Sequence, residues 1–178
     1  GIQLVEWGGH DAAVGFKTWP PEIADEIIAA AGVLPHPAGC DAVRDTPGEF
    51  EEFVGDLELA VKTRTEVALD ILGREDWDLF LQVFTESHCV GHQCWHVHDT
   101  GHPSHDPDAL AALGDPVERV YRALDRAVGA MVEEAGDANV LLFSAHGMSH
   151  YRGAKTLLPE ILERLGVTAG RRTPRRGI

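Results

Sequence analysis

The sequence predicts an α/β fold with a mainly parallel sheet. Two short runs, residues 79–84 and 140–144, are almost wholly apolar, the pattern of strands buried on both faces. Long stretches of helical period alternate with them, so the connections are crossovers and not hairpins. Each run opens directly onto a histidine-bearing segment, Ser87-His88 and Ala145-His146. Open parallel sheets bind ligands outside the carboxyl ends of their strands, which would bring both segments to one edge.

Taken in order, residues 2–7 read as a short strand that ends at Gly8-Gly9-His10-Asp11. Pro20-Pro21 then opens a helix with Ile23, Ile27 and Ile28 on one stripe, and Gly32 closes it. Residues 33–47 hold three prolines and read as a loop. From Glu49 to Leu72, Phe50, Phe53, Val54, Leu57, Val61, Ala68, Ile71 and Leu72 fall mostly on one face of a single helix. The first buried strand follows, and after the histidines residues 101–107 are polar and turn-rich. Asp115 and Pro116 supply a cap and a first-turn proline for a helix with Val117, Val120, Tyr121, Leu124, Val128, Met131 and Val132 on its stripe. The second strand leads into Ala145-His146-Gly147-Met148, and a last helix covers residues 157–165.

At 178 residues the chain is one domain's worth of sequence, and 44% hydrophobic residues suffice for a core. No run approaches the roughly 18 apolar residues of a membrane span. The opening residues carry neither a starting Met nor a basic region, so no signal peptide is readable and the natural N-terminus is not assured. A net charge of −14 disfavours nucleic-acid backbone and anionic membrane as partners. Four arginines crowd residues 171–176, which we expect to form a disordered basic tail outside the domain at 1–170. Three cysteines, Cys40, Cys89 and Cys94, have no framework spacing, so free buried thiols and a reducing, cytoplasmic setting are expected.

The chemistry is concentrated between Glu86 and Asp99. Six of the ten histidines lie between positions 88 and 105, and His88, His92 and His96 recur every four residues. Neutral imidazole is the commonest metal ligand, and on a helix His88 and His92 would share a face and could hold one ion. The chain lacks the Glu of a His-Glu-x-x-His zincin. It has no Gly-x-Ser-x-Gly around Ser144, no Gly-x-Gly-x-x-Gly and no phosphate-loop Gly-Lys-Ser/Thr, which removes serine hydrolases, dinucleotide enzymes and P-loop NTPases as leading readings. Trp77 and Trp95 read as core, and His36 and His150 as surface residues.

These motifs together resemble the alkaline-phosphatase superfamily, in its type I phosphodiesterase/nucleotide pyrophosphatase branch and closest to the microbial phosphohydrolase/phosphomutase group. The apolar run leading to His88-Cys89-Val90-Gly91-His92 is similar to that family's Asp-x-x-Gly-His metal motif. Trp95 and Asp99, followed by His102-Pro103, resemble the Trp…Asp…His-Pro run that comes next. Residues 117–132 look like the helix between the metal motifs, and Ser144-Ala145-His146-Gly147-Met148 resembles Ser-Asp-His-Gly-Met. The likeness is fullest from Trp77 to Gly166.

The resemblance implies a three-layer αβα sandwich whose strand ends hold two divalent ions, usually zinc, around a Thr or Ser nucleophile that attacks a small-molecule phosphate ester. By position it makes His92 a ligand of one ion and His146 of the other, with His88 joining His92 as a strand-end pair that His146 completes from a distant loop. His96, His98, His102 and His105 become supporting or surface residues. The sequence departs from the family at two ligand positions. His88 stands where the family has a carboxylate, and so does Ala145, which offers no donor. Glu86 is a candidate to supply the missing carboxylate. The nucleophile motif and the last histidine of the family are not found, so the chain is expected to be a partial domain, a fragment inactive in isolation. Two alternatives stay open: a degenerate, non-catalytic relative that binds a ligand or partner, and an unrelated histidine metalloprotein with a mononuclear site.

Overall fold

A computed structural model describes residues 1–8, 15–34, 42–150 and 154–167. The chain divides into two compact units, residues 1–148 and 149–178. In the first, β1 (Gln3–Val5) pairs antiparallel with β2 (Lys17–Trp19), in a register that sets Leu4 opposite Thr18. Five helices follow: α1 (Glu22–Ala31), α2 (Pro47–Leu72), α3 (Glu86–His98), α4 (Pro107–Leu113) and α5 (Pro116–Ala135). In the second unit the described element is α6 (Ala154–Arg164), three residues longer at its start than the sequence suggests and carrying Pro159 within it. The expected basic tail at 171–178 lies outside the described residues.

Local chemistry starts three of these helices in the same way. Thr46-Pro47, Asp106-Pro107 and Asp115-Pro116 each place a capping oxygen before a first-turn proline. At α2 the cap is reciprocal. Thr46 Oγ1 accepts from the Glu49 N–H at 3.3 Å, and the Glu49 carboxylate accepts from the Thr46 N–H at 2.8 Å. Asp115 does double duty at α5. One oxygen accepts from the Glu118 N–H at 3.0 Å and the other meets His98 Nδ1 at 2.6 Å, which ties the end of α3 to the start of α5.

The body is built around α2, about 39 Å long at 1.5 Å per residue. Its first half sends Phe53, Val54 and Leu57 against Cys89, Val90 and Cys94 of α3 and Val117 and Val120 of α5. Its second half turns another face, Ala60, Val67 and Ile71, toward Trp7 of the N-terminal segment and Ile23 and Ile27 of α1. The sequence suggested one apolar stripe; the helix uses two, because different elements cover its two halves. Arg119 fastens α5 to α2 through Glu51 and Glu58, at 2.7 to 3.0 Å.

The expected parallel strands are not formed among the described residues. Residues 79–84 and 140–144 form no ladder, and the described sheet has two antiparallel strands instead of a parallel set. The fold is mixed α/β but mostly helical. Phe80 and Phe84 pack inward against the helices, while Leu79, Leu81 and Val83 are 71, 79 and 69% exposed. Leu141, Leu142 and Phe143 are more than 70% exposed. Extended backbone needs a neighbouring strand for its N–H and C=O groups, and the described residues do not supply one here.

Candidate metal centre

The expected strand-end pair is in fact on a helix. Thr85 begins α3, with its carbonyl accepting from the N–H groups of His88 and Cys89. Histidine, glycine, valine and cysteine are weak helix formers, so packing and not propensity holds this segment helical. Val90, Cys94 and Val97 are fully buried along one face. At about 100° per residue that face is opposite the one carrying His88 and His92. His88 is half-buried and His92 exposed. Their ring centroids are 4.4 Å apart.

His146 arrives from 54 positions beyond His92 in the sequence, and its ring centroid lies 6.2 Å from that of His88. Its Nδ1 donates to the Gly147 carbonyl at 2.9 Å, since a carbonyl only accepts, which leaves Nε2 as the atom with a lone pair. Ser144 Oγ donates to the His146 carbonyl at 2.7 Å and braces the turn. The structure therefore places His88 beside both His92 and His146, two of the three pairings among the histidines singled out in the sequence. It also sets them at the ends of the two apolar runs.

The other candidates go elsewhere. His96 continues the four-residue ladder but lies beside Phe50 and His102, at 5.9 and 6.2 Å between ring centroids, and its carbonyl meets His105 Nδ1 at 3.0 Å. Burial, and then the neighbouring His102, hold its imidazole below the ordinary range. Trp95 donates through its indole N–H to the Asp99 carboxylate at 3.2 Å, so that part of the Trp…Asp motif lies at the C-terminal end of α3. Cys94 is inert, its thiol pushed up to about 12 by burial.

Glu86 is committed to a partner. Its Oε1 accepts from Arg64 Nε at 3.2 Å, and the two side chains are 3 and 12% exposed. Arg64 also donates to the carbonyls of Trp7 at 2.9 Å and Gly8 at 3.2 Å. Glu86 Oε2 is buried with no hydrogen-bond partner among the described residues. Arg64 thus joins α2, the end of the first strand segment and the first turn of α3. Sequence reading missed it. The available signal was an arginine lying between Val61 and Val67, among the apolar positions of α2.

A family model, type I phosphodiesterase/nucleotide pyrophosphatase, matches residues 5–167. The chain belongs to this family. No curated protein and no solved structure matches it. As a type I phosphodiesterase/nucleotide pyrophosphatase domain it is of the phosphate-ester hydrolase kind, which acts on small phosphate esters and generally depends on divalent metal. Membership removes the unrelated histidine metalloprotein as a reading. Among the described residues no helix is long and apolar enough to cross a membrane.

Do the residues present fit such an ion? Three imidazoles are a sound donor set for zinc, at about 2.0–2.1 Å from nitrogen to metal, which sets ring centroids roughly 5 Å apart. The 4.4 Å pair meets that spacing, and the 6.2 Å pair is about 1 Å too wide. Accordingly, no group of three His, Cys, Asp or Glu among the described residues is close enough to hold an ion as it stands. The donor types suit one ion, although the described positions do not converge on one. They do not supply the carboxylates of a second, since Ala145 has none and Glu86 faces Arg64.

Proposed function

We propose that this chain is the metal-binding part of a phosphate-ester hydrolase domain, with His88, His92 and His146 holding one divalent ion, zinc by its donor set. The observation that carries the reading is the approach of His146 to His88, itself beside His92, across more than fifty residues and at the ends of two apolar runs. When bound, the ion supplies positive charge to a phosphoryl oxygen. The chain's own part is to hold three neutral imidazoles in place. Packing of Val90, Cys94 and Val97 fixes the helix, the Gly147 carbonyl engages His146 Nδ1 and leaves Nε2 as the donor atom, and the Arg64–Glu86 pair secures the turn bearing His88. Glu86 therefore acts through α3 and not on substrate.

The domain is a partial three-layer αβα sandwich, in which residues 79–84 and 140–144, unpaired among the described residues, would serve as strands of its parallel sheet. Support comes from the inward Phe80 and Phe84 beside the outward Leu79, Leu81 and Val83. One face lies on helices, and the bare face and unpaired backbone call for further strands and a second helical layer. Those would come from residues beyond these 178, as would the nucleophile. The acidic charge argues against nucleic acid as a partner, and the buried free thiols Cys89 and Cys94 suit a reducing, cytoplasmic setting.

A second reading, a non-catalytic relative that keeps a metal or ligand, is favoured by Ala145, which stands where a carboxylate ligand is expected. Turnover separates the two. With the full-length parent loaded with zinc, hydrolysis of a p-nitrophenyl phosphodiester, abolished by His92→Ala, is the result the hydrolase reading requires. Stoichiometric zinc without turnover of mono- or diesters selects the binding protein.

A further inference from the structure

Gly91 sits in the middle of α3, buried, where alanine would stabilise a helix by about 1 kcal/mol more. A glycine at such a place asks for a packing reason, and Met148 gives it. A Cβ on Gly91 would lie 2.7 Å from Met148 Cε, 3.2 Å from Cγ and 3.6 Å from Sδ. Around the helix Gly91 is about 60° from His88, and it directly precedes His92. Met148 in turn is two residues from His146, whose ring stands 6.2 Å from that of His88.

We propose that Gly91 is a positioning residue: its missing side chain forms a notch that seats Met148 on α3 and so sets the distance of His146 from His88 and His92. The inference rests on the metal reading above for its purpose, but the notch itself is a matter of shape. The Cε contact alone could be relieved by turning the end of Met148. The 3.2 Å approach to Cγ takes more, either a new χ1 rotamer of Met148 or a shift of a few tenths of an ångström in the segment that also carries His146. A branched side chain at 91 adds two further methyl groups to the same space, and on this proposal the segment lifts.

The test uses the whole chain, metal-free and then titrated with zinc. In the wild type the ring protons of His88 and His146 give a nuclear Overhauser cross-peak. In Gly91→Val that cross-peak is lost while helicity is kept, and zinc affinity falls about tenfold or more with all three histidines present. Adding Met148→Ala to Gly91→Val restores both. Gly91→Ala, with one methyl against the same atoms, weakens the cross-peak and keeps the test open if the valine variant does not fold. Absence of the cross-peak from the wild type, its persistence in Gly91→Val, or failure of Met148→Ala to restore it overturns the notch. Zinc binding indifferent to the three histidines, with the cross-peaks behaving as stated, overturns the metal reading and leaves the notch in place.

Discussion

The segments at 79–84 and 140–144 are more apolar in sequence than the helical body around α2, yet they are the barer of the two. Leu57 is 1% exposed and Leu81 is 79% exposed. A helix closes its backbone hydrogen bonds within itself, so a capped, amphipathic segment needs only something apolar to lie against. A strand closes nothing alone and depends on neighbours that can be far away in sequence. The contrast separates segments that satisfy their own backbone from segments that, on the proposed reading, need strand partners.

The sharpest way to break the helical side is at Arg64. Removing one member of a buried ion pair leaves the other charge uncompensated, so Arg64→Met should cost about 3–5 kcal/mol, read by urea unfolding. Equal stability would mean that Glu86 has another partner. Next comes the direct contrast. Leu57→Ala should cost about 2–5 kcal/mol, whereas Leu81→Ala should change stability by less than about 0.5 kcal/mol. A large loss from Leu81→Ala would show that the segment is covered after all.

Those unequal sensitivities also explain what could be read from the sequence. The cap and proline at Asp115 and Pro116, and the long stripe of α2, are local signals, and both helices appear within two residues of expectation. Asp106-Pro107 carries the same signal for α4 but was masked by a turn-rich stretch. The helical state of α3 was invisible to propensity, because Val90, Cys94 and Val97 hold it by tertiary burial. The two apolar runs read as strands by pattern, but the pattern could not say where their partners are. At the site, the three histidines were legible. Arg64 and the Gly91–Met148 contact were not, since each acts between elements distant in sequence.

A smaller effect tests the joint between α3 and α5. Burial raises the Asp115 carboxyl, but the Glu118 N–H and His98 outweigh it and hold it below the ordinary range. Asp115→Ala loses the cap and the His98 contact and should cost about 1 kcal/mol, with Asp115→Asn retaining much of the difference. The smallest effect concerns His96. Its folded imidazole titrates below its unfolded value, so the unfolded chain binds the extra proton first. Stability should be level above about pH 6.5 and decline as pH falls through the lowered folded value, and His96→Gln should flatten that decline. A decline of unchanged steepness in His96→Gln would assign it to other groups.

The central claim is that three histidines from two distant segments hold one ion. Isothermal titration of the metal-free chain with zinc at neutral pH measures it most directly. The account predicts one equivalent bound, with affinity falling at least tenfold in each of His88→Ala, His92→Ala and His146→Ala, and unchanged in His96→Ala. Binding unaffected by His146→Ala, or no stoichiometric binding at all, would contradict it.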